Sequence, residues 1–566
     1  MNSALLVIFV FICFGLGYKF YSKYIATRIF GIYESFTTPA HTHLDNIDYV
    51  PTTKRILFGH HFTSIAGAAP IIGPCIAAYW GWLPAILWIV LGTIFMGAVH
   101  DFGTLVVSIK EKGRSIADIA GGILNKRIQL MFLIFVLLLT WLVLAVFAMA
   151  IADLFVSVPM SVLPVNIEII MALIMGYLIY QKKVDSFIPS IIALALLYFF
   201  VWIGSYYPIS FESFGLSVES SKTTWIILLF IYSSIASLLP VWLLLQPRDY
   251  INSHQLIVGL GLLFLGLFIS QPQIDAPAIR QITDSSAPPI FPMLFVTIAC
   301  GAISGFHGLV ASGTTSKQVN KLKDSRFIGY GAMLGEGTLA LASTIAAVAG
   351  ISMVTNCHLP SIGFVENLDW HTYYDTWSHA SSNKAKAFVL GGSAFLQEVG
   401  IKAQFATTII AVLVISFAAT TLDTATRIQR LIISEIGNAT KINILKNRYS
   451  ATLFAIIPAL MLTLLSVPDP TSGQLRETAW VLWPIFGASN QMLAGLSLMI
   501  LTLYFLNKQK PILPLLIPMI FVTIIAIYSL LLKVESFYHQ GNMLLLNISL
   551  LLLILIGWML FEGCKL

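Results

Sequence analysis

Two hydrophobic stretches in different halves of this chain are interrupted by small residues, prolines and histidines. The first reads Phe58-Gly-His-His-Phe-Thr-Ser-Ile-Ala-Gly-Ala-Ala-Pro-Ile-Ile-Gly-Pro74. The second reads Ile298-Ala-Cys-Gly-Ala-Ile-Ser-Gly-Phe-His-Gly-Leu-Val-Ala-Ser-Gly-Thr-Thr315. Each is set among long apolar runs, yet neither can be a smooth apolar helix. In hydrocarbon every backbone N–H and C=O must be bonded internally, and irregular main chain survives only where protein or a wet cavity surrounds it. Paired discontinuous spans in corresponding halves of a membrane protein point to a transport site.

The 566 residues are 57% hydrophobic and only 10% charged, which excludes a soluble domain of this length. The fold class is an all-α polytopic membrane protein. About fifteen spans are predicted, the first at 4–22 and the last at 543–562, with 290–316, 403–425 and 449–467 among them. Most of the 32 lysines and arginines then fall on one side, which orients the chain N-out and C-in. The richest cytoplasmic clusters are Lys110, Lys112, Arg114, Lys126, Arg127 and Lys317, Lys321, Lys323, Arg326. Lys19 and Lys23 follow the first apolar run, the pattern of an uncleaved anchor. Cys13, Cys75, Cys300, Cys357 and Cys564 are scattered, with neither a disulfide framework nor a zinc motif. The net charge of +6 follows topology and does not argue for nucleic acid.

With the first span set aside, spans two to eight match spans nine to fifteen in order. The odd offset runs corresponding helices in opposite directions, as an inverted repeat requires. Three units follow: an anchor helix and cytoplasmic linker (1–56), a first repeat with two extra helices (57–289), and a second repeat with two C-terminal helices (290–566). Each broken helix precedes a span carrying one acid, Asp101 and Glu336 respectively. The external loop 356–400 is polar, then runs into a segment too short to span. That segment reads as a lid helix or an interfacial amphipathic helix.

Ionisable groups at membrane depth are costly and therefore functional candidates. Those singled out are His60, His61, His100, Asp101, Asp153, His307, Glu336 and Asp423. The substrate-binding set is His60, His61, Ser64, Gly67, Gln246, Gly305 and His307. Histidine exchanges a proton near neutral pH, and glycine allows close backbone approach. Asp101, Glu336 and Asp423 are the proton-coupling candidates. Thr420 and Thr421, opposite the carbonyl of Ala66, offer oxygens for sodium. The competing reading of Asp423 is a pair with Arg427 one turn on. Pro240 and Pro247 bracket a break, and Arg248–Asp249 at its boundary reads as an inner gate or a solvated helix-end pair.

Seven strings carry a resemblance: Asp48-Tyr-Val-Pro-Thr52, Leu57-Phe-Gly-His-His-Phe62, Leu239-Pro-Val-Trp242, Leu245-Gln-Pro-Arg-Asp-Tyr250, Ser304-Gly-Phe-His307, Ser312-Gly-Thr-Thr315 and Thr420-Thr-Leu-Asp-Thr-Ala-Thr-Arg427. Together they resemble the carbon starvation protein A family over about 48 to 430. The resemblance implies an inner-membrane uptake system of bacteria, with peptide uptake and proton-coupled pyruvate uptake among its members. It also implies the five-plus-five, leucine-transporter-type inverted repeat of the amino acid–polyamine–organocation superfamily.

The expected function is a secondary symporter importing a short peptide, or alternatively pyruvate or a related carboxylate. The coupling ion is a proton, with sodium as the alternative, and no other cofactor is expected. The partners are that substrate and the lipid bilayer, not nucleic acid. Rival classes lack support: there is no repeated filter motif for a channel, and no HExxH or nucleophile motif for an enzyme. A sensor would need an output domain, and no cytoplasmic loop is long enough to be one.

Overall fold

The computed structural model describes every residue except 34, 285–286, 360–362, 384, 469–474, 564 and 566; Cys564 thus lies outside the described residues. The chain is a bundle of helices, because intrachain hydrogen bonding of each segment is the solution open to backbone in hydrocarbon. Among the described residues, twelve helices are long and apolar enough to cross a bilayer. Two short antiparallel hairpins add to them, Asn356–Leu359 with Gly363–Glu366 and Ser466–Pro468 with Leu475–Glu477.

Burial sorts the helices into an interior and a rim. The most apolar windows of Leu322–Met353 and Ala403–Thr440 are each 89% buried, against 33% for Phe187–Tyr206 and Met543–Gly563. The rim helices turn residues such as Ile188, Ile554 and Trp558 outward, where lipid replaces protein.

Both interrupted stretches are broken helices. Lys54–Ile65 and Ala69–Trp80 pass as one span bent by 45°. Ala66 leaves the helical region at φ −78°, ψ 54°, and Pro70 opens the second half. Proline fits a first turn, where its missing N–H is no loss. The second runs Ile290–Thr297, Ala299–Ala302 and Gly305–Gly313, with Ile303 and Ser304 extended between. This helix and the 17-residue Arg448–Leu464 occupy the two predicted spans, 290–316 and 449–467, that fail the length test.

Three expectations need correction. The span predicted at 403–425 runs on to Thr440, because Arg427 and Arg430 are buried against Asp48 at 2.5 and 3.6 Å. The break bracketed by Pro240 and Pro247 falls at 239–244, so Arg248 and Asp249 lie in the first turns of helix Leu245–Ser270. Both are buried, which overturns the solvated helix-end pair. Helix Lys386–Glu398 is not interfacial: Phe388, Phe395 and Leu396 are fully buried as it packs on Leu245–Ser270 and Ala403–Thr440. Earlier in the same loop, Trp370 and Tyr374 donate to the carbonyls of Ala78 and Cys75 at 3.2 and 2.6 Å, capping the far end of the first broken helix.

At the opposite end, residues 45–52 form a strap across several helix ends. Val241 N–H donates to the Ile47 carbonyl at 3.1 Å, and Thr52 N–H to the Gln318 carbonyl at 3.0 Å. Burial alone would raise the Asp48 carboxyl, but Arg427, Lys317 and Arg430 hold it below the usual carboxylate range. A depressed native pKa stabilises above the unfolded value, and that stability is lost as pH falls through the native one. Asp48→Asn is therefore expected to lower the melting temperature of detergent-solubilised protein at neutral pH. The gap from wild type should close as pH falls through the depressed Asp48 pKa; an equal gap at both pH values would show that charge does not hold the strap.

Candidate functional site

Unwound backbone brings polar groups into the middle of the bundle, and partners from other helices meet them. In the second break, Phe306 N–H donates to Asn490 Oδ1 at 2.9 Å, and Asn490 Nδ2 donates to Ser304 Oγ at 2.9 Å. Asn490 thus caps the Gly305–Gly313 half-helix from a neighbouring helix. A Cβ at Gly305 would stand 2.4 Å from Leu493 Cβ and 2.5 Å from the Asn490 carbonyl, so in this conformation Gly305 serves close packing. In the first break, the Ser64 hydroxyl meets Thr424 Oγ1 at 3.1 Å, and Thr421 donates to the Ser64 carbonyl at 3.2 Å. Gly67 lies under Thr421, whose Oγ1 would be 2.6 Å from an added Cβ.

The ionisable candidates fall into two clusters. In one, His307 of the second broken helix is bracketed by Asp101 and Glu336, each on the span that follows a broken helix. His307 Nδ1 lies 3.0 Å from Asp101 Oδ2 and Nε2 3.1 Å from Glu336 Oε2. His100 Nδ1 lies 2.7 Å from Asp101 Oδ1. All four side chains are fully buried. A neutral imidazole has only one N–H. Nδ1 is hydrogen-bonded to Asp101, whereas Nε2 and both Glu336 oxygens are buried without a hydrogen bond, so the 3.1 Å approach needs a further proton, on the ring or on the carboxyl, to become one.

The other cluster centres on Arg248. Its Nε donates to Glu168 Oε1 at 3.1 Å, and Nη1 donates to Asp423 Oδ2 at 2.6 Å and to the Tyr232 hydroxyl at 2.8 Å. Ser416 donates to Glu168 Oε2 at 3.0 Å, and Asn252 to Thr420 Oγ1 at 2.9 Å. Asp249 turns away from Arg248 and meets His60 Nδ1. Arg248 and Asp249, the gate candidates, thus engage different partners, and Asp423 pairs with Arg248 rather than Arg427. Buried Asp249 Oδ1, Asn252 Oδ1 and Asp423 Oδ1 have no hydrogen-bond partner.

The remaining candidates are spread more widely. His61 Nδ1 meets Thr315 Oγ1 at 3.0 Å while its Nε2 is unpartnered. Gln246 sits at the strap, donating to Thr52 at 2.9 Å and to Gln318 at 2.6 Å. Asp153 pairs with Lys222 at 2.5 Å and is a third exposed, so it belongs to a helix end rather than membrane depth. Glu168 was missed, although a lone acid in the apolar run around Ile167–Ile170 meets the same intramembrane criterion. Asn490 carried a similar signal within Gly487-Ala-Ser-Asn-Gln491, whereas nothing local marked Tyr232.

This architecture is that of a multi-pass membrane protein with a broken-helix, ionisable interior. The family model for carbon starvation protein CstA matches residues 2–529. The peptide transporter CstA of Helicobacter pylori is 32% identical over 97% of this chain and 84% of its own length. That of Escherichia coli is 30% identical over 90% of this chain and 78% of its own. The pyruvate/proton symporter BtsT of Escherichia coli is 37% identical over 58% of this chain and 47% of its own. A solved manganese transporter from Eremococcus coleocola covers 92% of this chain and 99% of its own at TM-score 0.48 and 13% identity, too distant to bear on the site. The chain belongs to the carbon starvation protein CstA family, and it is a membrane transporter.

Removing the Asn490 side chain leaves Phe306 N–H without an acceptor in a buried break. Asn490→Ala is expected to destabilise the protein by about 1–3 kcal/mol, read by unfolding in mixed micelles. Unchanged stability would mean that the break is held by something else.

Proposed function

We propose that this chain is a proton-coupled secondary symporter of the bacterial inner membrane, importing small organic nutrients during carbon starvation. Short peptides are the first substrate class, supported by relatives named as peptide transporters over 84% and 78% of their own lengths. Pyruvate or a related carboxylate is the second, favoured by the similarity to a pyruvate/proton symporter.

The observation that carries proton coupling is His307 held at 3.0 and 3.1 Å between Asp101 and Glu336. A buried imidazole between two carboxylates stores a proton shared among three groups, and rearranging the helices that bear them changes its affinity. Those helices are the second broken one and the spans following each break. Movement of the broken helices against a scaffold would thus link proton release to alternating access. His60, His61, Ser64 and Gly67 line the first broken helix where cargo would enter. Sodium at Ala66, Thr420 and Thr421 is the second coupling reading, favoured by the Thr421 hydroxyl, which meets that break at the Ser64 carbonyl. Fifteen spans, N-out and C-in, with inverted repeats starting at 57 and 290, complete the proposal.

Proteoliposomes with an imposed pH gradient are expected to accumulate substrate, and a sodium gradient alone should drive none. Uptake indifferent to both gradients would reject coupled transport. Glu336→Gln is expected to abolish gradient-driven accumulation while leaving substrate exchange across the membrane. His61→Ala is expected to abolish uptake with normal membrane insertion; wild-type uptake by that variant would remove His61 from the site.

A further inference from the structure

We propose that Arg248 is the binding group for a carboxylate on the transported substrate, and that the substrate takes the place of Asp423 on the guanidinium as Asp423 accepts a proton. The inference rests on the transport reading above and names the chemical group that its site selects. Peptides and keto acids have little in common except a terminal carboxylate. A buried guanidinium is the side chain best matched to that group, through paired N–H donors.

The charge count inside the bundle gives the exchange its form. Arg248 carries one fixed positive charge and faces two carboxylates, Glu168 at 3.1 Å and Asp423 at 2.6 Å. A third carboxylate, Asp249, is the next residue and is met by His60. All of these side chains are buried, and away from water an excess of negative charge is expensive. The cluster therefore has no room for a fourth carboxylate unless a proton comes with it. Asp423 is the acid placed to take that proton. Its Oδ1 is buried without a partner, whereas both Glu168 oxygens are engaged, one by Arg248 and one by Ser416; Asp249 also has an unpartnered Oδ1, but it is paired with His60 and not with the guanidinium.

Position agrees with chemistry. Asp423 follows Thr420 and Thr421 on helix Ala403–Thr440, and Thr421 and Thr424 contact Ser64 at the first break. A ligand seated on the unwound segment would thus lie one helical turn or less from Asp423 along that helix, with Asp423 on the adjacent face that it shares with Thr420 toward helix Leu245–Ser270. The groups facing Asp423 are Arg248 and Asp249 from helix Leu245–Ser270, Tyr232 from Val218–Leu238 and, through Arg248, Glu168 from Pro159–Gln181. His60 reaches the cluster only through Asp249.

In the exchange, one proton moves from the aqueous side to Asp423, its hydrogen bond from Arg248 is released, and the substrate carboxylate accepts that N–H instead. With this proton alone a monocarboxylate such as pyruvate carries no net charge and a zwitterionic dipeptide one positive charge. Any proton carried at His307 adds equally for every substrate.

The test uses full-length protein in proteoliposomes with an inward pH gradient, offered labelled dialanine and labelled pyruvate. The neutral amide of whichever is accumulated is the competitor. We expect the amide to compete about 100-fold or more weakly than the acid, because it leaves the guanidinium unpaired. Arg248→Lys should raise the half-saturation concentration at least about tenfold. Asp423→Asn, which keeps the side-chain shape, should retain exchange of the acid but lose both accumulation and the pH dependence of binding. On a supported membrane, dialanine uptake should carry one more positive charge per molecule than pyruvate uptake. Proton-driven uptake in which the amide competes as well as the acid would overturn this inference and leave the transport reading standing. So would Asp423→Asn retaining proton-driven accumulation. If neither compound is accumulated, the transport reading falls and takes this inference with it.

Discussion

Hydrocarbon offers no hydrogen bonds and no screening, so a polar group this chain places inside it is costly until another part of the same chain meets it. That constraint explains the architecture more fully than any single contact. Two helices are broken, and each break is met by side chains from elsewhere. Asn490 meets the second through Ser304 and Phe306 N–H, and Thr421 and Thr424 meet the first through Ser64. Neighbouring helices therefore fix the local geometry of the breaks as much as their own prolines and glycines do.

The same constraint gathers the charges. Charged side chains that would be ruinous alone occur as Arg248 with Glu168 and Asp423, His307 with Asp101 and Glu336, and Arg427 with Asp48. The first two groups hold more carboxylates than fixed cations. Buried clusters of that kind are settled by protons or ions from outside, and this makes them suited to a coupled transporter. The third ties the strap at 45–52 to the long helix Ala403–Thr440, so a structural pair and the two candidate functional clusters arise from the same physics.

Much of this was legible in the chain. Hydropathy gave the membrane bundle, and small residues, proline and histidine at bilayer depth marked both breaks. Asp101, Glu336, His307 and Asp423 stood out because a lone ionisable residue in an apolar run needs an explanation. Their partners did not stand out. Asp423 and Arg427, four residues apart, satisfy a local pairing rule, yet each is taken by a residue from a distant segment. His307 read as a substrate ligand, and its place between two acids, each about equally far in sequence from a break, was not legible. Arg248 and Asp249 are neighbours in sequence that turn to different helices, which no periodicity could reveal.

The sequence by itself determined the solvent this protein folds in, the helical class, where two helices must fail, and which buried charges demand a partner. These are local properties, set by the transfer energy of each side chain and the missing donors of proline. Only the tertiary structure decided who pairs with whom. Pair choice in the interior depends on which helix faces meet, and those faces are fixed by the packing of the whole bundle at once.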